Sequence, residues 1–199
     1  MKKVMLLIML SGLSHEANLQ AQGGVEQYYY MGERRALTFI PIAYYQTSSN
    51  WYIEGRYNFE ALKTFSVYAG KTFEKEAALS YSASPVAGVV MGRFNGGSVG
   101  GNLEVDYKRF FFSSQLQYTF SMEDKTENFI YSWSDLSYQV LNNISGGFSV
   151  QQTNLYAVKY KLEKGIFLKA LLGNWSFPLY VFSPFTKERY FVLGLNLDW

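Results

Sequence analysis

The chain has 199 residues, a formal net charge of +2 and no cysteine. This length fits a single domain, and the lack of cysteine excludes disulfide bonds, thiolate metal sites, cysteine nucleophiles and a lipid-modified N-terminal cysteine. Aromatic residues make up 19% and charged residues only 17% of the sequence, against about 25% charged residues in ordinary soluble domains. This composition suits a surface that faces something other than water. Lysine and arginine form no cluster, so we expect no nucleic-acid partner.

The N-terminal segment has the features of a secretory signal peptide. Lys2 and Lys3 provide its positive charge, and residues 4–13 form an apolar stretch that is too short to span a bilayer. Small and polar residues follow, and we predict cleavage after Ala21, with Ala17 as the alternative site. The chain is therefore expected to be exported.

Apolar and polar residues alternate along most of the remaining chain, as in β-strands with one apolar face. In residues 51–60 the odd positions are apolar or glycine and the even positions are mostly polar. The same pattern predicts twelve strands, over residues 36–47, 50–60, 64–73, 77–91, 99–107, 114–122, 129–140, 144–150, 156–162, 166–172, 177–182 and 189–199. A single-chain bacterial outer-membrane barrel requires an even number, and ten strands is the alternative if two weak strands merge. We therefore predict an all-β fold, a closed antiparallel transmembrane β-barrel of 12 strands.

The segment before the first clear strand is harder to assign. Residues 22–34 are expected to form a periplasmic extension or a small plug that folds into the barrel. The predicted division is thus a signal peptide over residues 1–21, this extension or plug over 22–34, and the transmembrane β-barrel over 35–199.

Local features of the alternation lead to further predictions. The apolar phase continues across Pro85, which predicts one long strand with a bulge or an edge-like distortion at the proline. The phase reverses within residues 129–140, which predicts a bulge near Asp135. Residues 110–112, all phenylalanine, and residues 163–165 are predicted to form turns between adjacent antiparallel strands.

The last strand carries the most specific signal in the sequence. Its apolar residues share one phase and end on an aromatic residue: Phe191, Leu193, Leu195, Leu197 and Trp199. This pattern resembles the C-terminal strand of outer-membrane β-barrels, which the barrel-assembly machinery recognises, although the usual terminal residue is phenylalanine. The mature chain also resembles small outer-membrane β-barrel proteins of the Bacteroidota without an assigned function, through the stretches RYFVLGLNLDW, WYIEGRYNF, GKTF and SVQQTNLY. The resemblance implies an outer-membrane location, with membrane lipid and the assembly machinery as partners, and implies no activity.

The polar face of the strands is the candidate functional surface. If the apolar face meets lipid, the lumen is lined by Glu54, Arg56, Asn58, Asn102, Glu104, Asp106, Lys108, Gln115, Gln117, Lys159, Lys161 and Lys169. These mixed charges predict a narrow channel for small polar solutes or ions. A closed structural or partner-binding barrel is the alternative. A third is a soluble lipocalin-like ligand-binding barrel, in which the two faces are exchanged.

The sequence predicts no enzyme, no cofactor and no metal site. The only histidine is His15, within the predicted signal peptide, so the mature chain lacks the usual general base of barrel hydrolases. Glu104 and Asp106 share a strand face at roughly 7 Å and could act on a glycoside. Pairing with Lys108 and with lysines on other strands explains the same two carboxylates without catalysis.

Overall fold

The computed structural model describes residues 21–33, 35–155 and 161–199, and almost all of the regular structure in these ranges is β-strand. The strands are β1 (Gln22–Gly32), β2 (Arg35–Gln46), β3 (Trp51–Tyr57), β4 (Thr64–Lys71), β5 (Phe73–Lys75), β6 (Ser80–Gly92), β7 (Gly96–Tyr107), β8 (Phe110–Ser121), β9 (Phe129–Leu141), β10 (Ile144–Leu155), β11 (Lys161–Leu172), β12 (Trp175–Phe182) and β13 (Tyr190–Asp198). A short 3-10 helix, Lys125–Glu127, lies between β8 and β9. Within the described ranges, no helix has the length and apolar character needed to cross a bilayer.

The strands close into one antiparallel barrel. Neighbours in sequence pair with each other around the sheet, and β1 pairs with β13 to join the two ends of the chain. Segments β4 and β5 both pair with β6 in one register and together form a single barrel strand, so the barrel has 12 strands. With β4 and β5 counted as one strand, every described strand has a hydrogen-bonded neighbour on each side, so the sheet closes on itself. The predicted fold class is confirmed.

The predicted total of 12 strands is correct, but two errors cancel in it: one strand was not recognised, and another was divided into two. Gln22–Gly32 is barrel strand β1, paired with β13 on one side and β2 on the other, and not an extension or plug. Tyrosines on both of its faces hide the alternation. Residues 163–165 lie inside β11 and form no turn, because they pair in one continuous register with residues 149–151 of β10. The predicted signal peptide, residues 1–21, lies outside the described residues except for Ala21.

The distortion predicted at Pro85 is found not in β6, which contains the proline, but between the neighbouring segments β4 and β5. Strand β6 runs unbroken through Pro85 and keeps one register with β4, β5 and β7, without a bulge. Proline has no N–H to donate, and the ladder that β4 and β5 form with β6 is interrupted at Lys71 and Thr72, which lie opposite Pro85 and Ser84. The Thr72 and Ser84 hydroxyls lie 2.8 Å apart and join the two strands at this point.

Strand β9 has no bulge near Asp135. Its register with β8 is continuous, and Phe129, Tyr131, Trp133 and Asp135 all lie on its inward face. The apolar phase reverses because the interior itself changes from aromatic to polar along this strand. The predicted turn at residues 110–112 is also wrong, since all three phenylalanines belong to β8.

The connections differ between the two ends of the barrel. The end where β1 begins and β13 ends, here called the terminal end, has two-residue turns at 108–109, 142–143 and 173–174. The opposite end, the loop end, has longer connections such as residues 58–63, 122–128 and 183–189. In the connection over residues 122–128, the Asp124 carboxylate accepts hydrogen bonds from Thr126, chiefly from its backbone N–H. These bonds hold the pKa of the Asp124 carboxyl below its usual value. Outer-membrane barrels have this asymmetry, with short periplasmic turns and longer outer loops.

The two faces of the barrel differ in chemistry. Large apolar side chains cover the outside and are exposed, among them Leu37, Trp51, Ile53, Phe65, Val67, Leu116, Leu168, Phe177, Phe191 and Leu193. We call this surface the apolar belt. Buried polar residues, including Arg56, Glu54, Gln117 and Gln151, lie on the inward face together with aromatic rings. A soluble lipocalin-like barrel would need the opposite arrangement.

Candidate functional site

The barrel interior receives most of the residues predicted to line a lumen. Eight of them lie on inward strand faces: Glu54, Arg56, Asn102, Glu104, Asp106, Gln115, Gln117 and Lys169. Their strands β3, β7, β8 and β11 are spread around the barrel, so the side chains approach one another across the interior and not along one strand.

The other four predicted lumen residues are placed differently or are not described. Asn58 lies in the turn after β3, where its Oδ1 accepts a hydrogen bond of 2.7 Å from the Lys63 N–H. Lys108 lies in the two-residue turn after β7, with a left-handed φ of 59°. The Asn58 side chain is bonded to backbone at the loop end, through the Lys63 N–H and the Phe39 carbonyl, and the Lys108 ammonium lies over the ring of Tyr107 on the outer face. Lys159 lies outside the described residues, and Lys161 is described only as a backbone position of β11.

Arg56 extends from β3 into the centre of the interior and is 1% exposed. Its Nη1 donates a 2.6 Å hydrogen bond to Oε1 of Gln117 on β8, and its Nε pairs with Glu54. With the amide oxygen of Gln115 turned towards the guanidinium, Gln115 accepts a second bond of 2.6 Å from Nη2. The rings of Phe59 and Tyr68 lie against the guanidinium, with centroids 4.5 and 4.3 Å from Cζ. A buried cation is tolerated here because acceptors surround it and aromatic faces cover it.

Tyr68 can reach this position because it packs over a glycine. A Cβ atom added to Gly88, on the neighbouring strand β6, would stand 2.5 Å from the Tyr68 ring. The absence of a side chain at Gly88 therefore lets the ring lie flat against the wall, beneath the guanidinium of Arg56.

The connection from β3 to β4 folds inward above Arg56. Glu60 accepts hydrogen bonds from the Tyr68 hydroxyl at 2.7 Å and the Ser66 hydroxyl at 2.8 Å, and lies 3.6 Å from Arg56 Nη1. Phe59 packs edge to face on Tyr131 of β9, nearly opposite in the barrel, with ring centroids 5.3 Å apart. We call Arg56, Phe59, Glu60, Gln117 and Tyr131 the crossing layer. A cavity of about 170 Å³ lies beside it, bordered by Phe129 and Thr153.

The wall formed by β9 to β13 and β1 carries an aromatic cluster around one carboxylate. Asp135 Oδ1 accepts hydrogen bonds from Trp133 Nε1 at 2.9 Å and Ser149 Oγ at 2.5 Å, and Oδ2 accepts one from the Tyr180 hydroxyl at 2.8 Å. The Trp133 ring also contacts Tyr28 of β1, with centroids 5.4 Å apart. Three donors thus compensate the burial of the Asp135 charge.

The terminal half of the interior is acidic. Five carboxylates face it, Glu26, Glu74, Glu104, Asp106 and Asp198, together with the ammonium group of Lys169. We call this region the acidic vestibule. Glu104 lies within electrostatic range of the five other charged groups of the vestibule. Among the described side chains, no group of three or more carboxylates or histidines is arranged to hold a metal ion. The five carboxylates and one ammonium group give the described part of the vestibule an excess of negative charge.

Sequence reasoning missed three of the vestibule carboxylates. Glu26 was missed because β1 was not recognised as a strand, and Glu74 because it lies one residue beyond the predicted strand 64–73. Asp198 has the inward phase of a recognised strand. Asp198 accepts a 2.6 Å hydrogen bond from the Tyr44 hydroxyl, and Glu74 accepts a 2.7 Å bond from Gln46 Nε2. The alternation in the last strand could have identified Asp198, because it lies between the outward-facing Leu197 and Trp199.

Comparisons with known proteins identify the fold. No protein-family model and no curated protein matches the sequence. A KdgM porin solved in complex with disordered oligogalacturonate has a TM-score of 0.65 and 10% identity, and the match covers 87% of this chain and 98% of that chain. A NanC porin has a TM-score of 0.61 and 9% identity, covering 89% of this chain and 98% of that chain. The resemblance to barrels of the Bacteroidota stays a prediction, and at these identities the matches establish the fold alone, which is a porin-like β-barrel.

Proposed function

We propose that this protein lies in the outer membrane and is a narrow channel for small polar solutes or ions, with a preference for cations. The observation that carries the proposal is the apolar belt around a charged, polar interior. A membrane-spanning barrel needs an apolar exterior, and a polar lumen is what a water-filled path requires. The porin folds of the structural neighbours agree with this role.

The preference for cations rests on the acidic vestibule. Among the described residues, the vestibule combines five carboxylates with one lysine. Negative charge in a channel mouth raises the local concentration of cations and lowers that of anions. One structural neighbour was solved with oligogalacturonate, an acidic oligosaccharide. The vestibule favours solutes of the opposite charge.

Passage also requires the crossing layer to move. Arg56, Glu60 and the ring pair of Phe59 and Tyr131 occupy the interior between β3, β8 and β9. We therefore infer that the arrangement described here is a closed or highly resistive state. Phe59 and Glu60 of the layer belong to the connection over residues 58–63 and not to a strand. These two residues can therefore be displaced without breaking the barrel.

Single-channel recording of the refolded chain, starting at Gln22, in planar bilayers under a salt gradient tests the proposal. We expect discrete conductance and a reversal potential that indicates cation preference. The double variant Glu104→Gln, Asp106→Asn should lose much of this preference. The matched control, Glu123→Gln with Glu127→Gln, removes two charges from an exposed loop and should keep it.

The second candidate is a closed structural or partner-binding barrel, and the packed crossing layer favours it. Silence from protein that is shown to be folded and inserted, in the wild type and in variants that loosen the layer, would exclude the channel and support this alternative. Conductance with the same ion preference in the wild type, the Glu104/Asp106 variant and the Glu123/Glu127 control would keep the channel and show that Glu104 and Asp106 do not set its selectivity. Conductance without cation preference in the wild type would overturn the proposed selectivity.

A further inference from the structure

A groove of about 580 Å³ lies on the outside of the barrel at its loop end. It is formed where Gly32 and Glu33 at the end of β1 meet the segment before β13, and Phe185, Lys187, Arg189 and Phe191 also line it. Among the described lining residues, none has a side chain that faces the barrel interior. The groove is therefore separate from the proposed solute path.

The groove lies where the apolar belt ends. Phe191 belongs to the outward face of β13 and to the belt, and Arg189 lies just before that strand. Phe185 is 98% exposed, the most exposed of the large apolar side chains in the described ranges. A fully exposed phenylalanine beside a lipid-facing surface is expected to insert among acyl chains.

The loop that carries the cations is braced by its own hydrogen bonds. The Thr186 hydroxyl donates to the Ser183 carbonyl at 3.1 Å and accepts from the Glu188 N–H at 3.1 Å. The Arg189 N–H donates to the Thr186 carbonyl at 3.3 Å. Lys187 and Arg189 are thus held on one short, folded segment.

Both cations are available to a ligand. Within the part of the chain that the structure describes, neither Lys187 nor Arg189 forms an ion pair. Glu33 is the carboxylate among the described lining residues, so the lining carries two positive charges and one negative charge. A phosphate group beside the two cations would complete this arrangement, since Lys and Arg are the usual phosphate partners.

We propose that this groove binds the phosphorylated headgroup of a lipid A molecule in the outer leaflet of the outer membrane. Lys187 and Arg189 hold a phosphate, and Phe185 and Phe191 contact the first carbons of the acyl chains. This proposal rests on the outer-membrane location proposed above, with the loop end facing outwards. It does not depend on whether the interior conducts.

Native mass spectrometry of the refolded protein in detergent micelles, titrated with phosphorylated lipid A, tests the proposal. We expect the double variant Lys187→Gln, Arg189→Gln to retain the lipid at least about tenfold more weakly, given roughly 1 kcal/mol for each cation near an anionic lipid surface. The control, Arg93→Gln with Lys125→Gln, makes the same charge change at the same end of the barrel and should bind as the wild type.

Two comparisons decide against the proposal. Equal retention of lipid A by the double variant and the wild type, or equal retention of lipid A and its fully dephosphorylated form, would show that the cations hold no phosphate. Displacement of the lipid by inorganic phosphate alone would indicate a free-anion site instead. Because binding is read without conductance, a silent channel that retains lipid A would overturn the proposed function and leave this site standing.

Discussion

Arg56 Nη1 and Gln117 Oε1 are joined by a 2.6 Å hydrogen bond between β3 and β8, which are not neighbours in the sheet. The bond therefore crosses the interior and couples two parts of the wall. Glu54 and Glu60 lie on the same guanidinium, so one positive charge compensates two buried carboxylates. Removing either side of this arrangement leaves buried charge without a partner.

We expect Arg56→Gln to lower the free energy of unfolding by about 3–5 kcal/mol, because Glu54 and Glu60 lose their cation in a buried site. Urea titration of the refolded protein in lipid vesicles, followed by tryptophan fluorescence, measures the loss. Lys125→Gln, on an exposed segment, is the control and should change stability by less than about 0.5 kcal/mol. A loss as small as that of the control would mean that water screens the cluster.

We expect Phe59→Ala to raise the open probability of the channel, because it removes the ring contact with Tyr131 across the interior. The hydrogen bonds of Glu60 remain in this variant, so the barrel should stay folded. Single-channel recording measures the effect. Phe73→Ala truncates a phenylalanine on the outer face and should leave gating unchanged. Equal open probabilities in the two variants would contradict a role of Phe59 in closing the path.

The sequence predicted the barrel well, because strand alternation records which face meets lipid. The exceptions have physical causes. In β1, Tyr28 and Tyr30 face inward while Tyr29 faces outward, so a hydropathy pattern shows no period. In β9 the inward face begins with aromatic residues, which read as a change of phase and suggested a bulge.

The interior was predicted in its composition but not in its arrangement. Arg56, Gln115 and Gln117 were expected in one lumen, and they meet around the guanidinium. Nothing in the alternation identifies Phe59 and Tyr131 as partners, because an apolar residue facing inward reads as one facing lipid. The inward fold of residues 58–63 depends on contacts between elements distant in sequence.

We expect Asp135→Ala to lower the free energy of unfolding by about 3 kcal/mol, because the donors on Trp133, Ser149 and Tyr180 lose their acceptor. Asp106→Ala, in the exposed part of the vestibule, makes the same change and should cost less than about 1 kcal/mol. The same urea titration compares them. Equal losses would indicate that water already hydrates the donors around Asp135.

The last residue closes the barrel next to the first strand. The Trp199 N–H donates to the Gly23 carbonyl at 2.9 Å, and the Gly23 N–H donates to the Trp199 carbonyl at 3.0 Å. A Cβ atom added to Gly23 would stand 3.0 Å from the Trp199 ring, so the indole lies directly on the glycine backbone. This placement leaves the ring outside the barrel, in line with the outward residues of β13.

We predict that Trp199→Ala lowers the amount of assembled protein in cells several-fold, whereas Trp199→Phe keeps it. The reason is that an outward aromatic at the end of the last strand is the expected signal for the barrel-assembly machinery, and phenylalanine satisfies it. The heat-modifiable band of membrane fractions on gels measures assembly, and refolding of the same variants in detergent should differ much less. Trp51→Ala removes another exposed tryptophan at the terminal end and is the control. If it reduces assembly as strongly as Trp199→Ala, the loss comes from the apolar belt in general and Trp199 is not a signal.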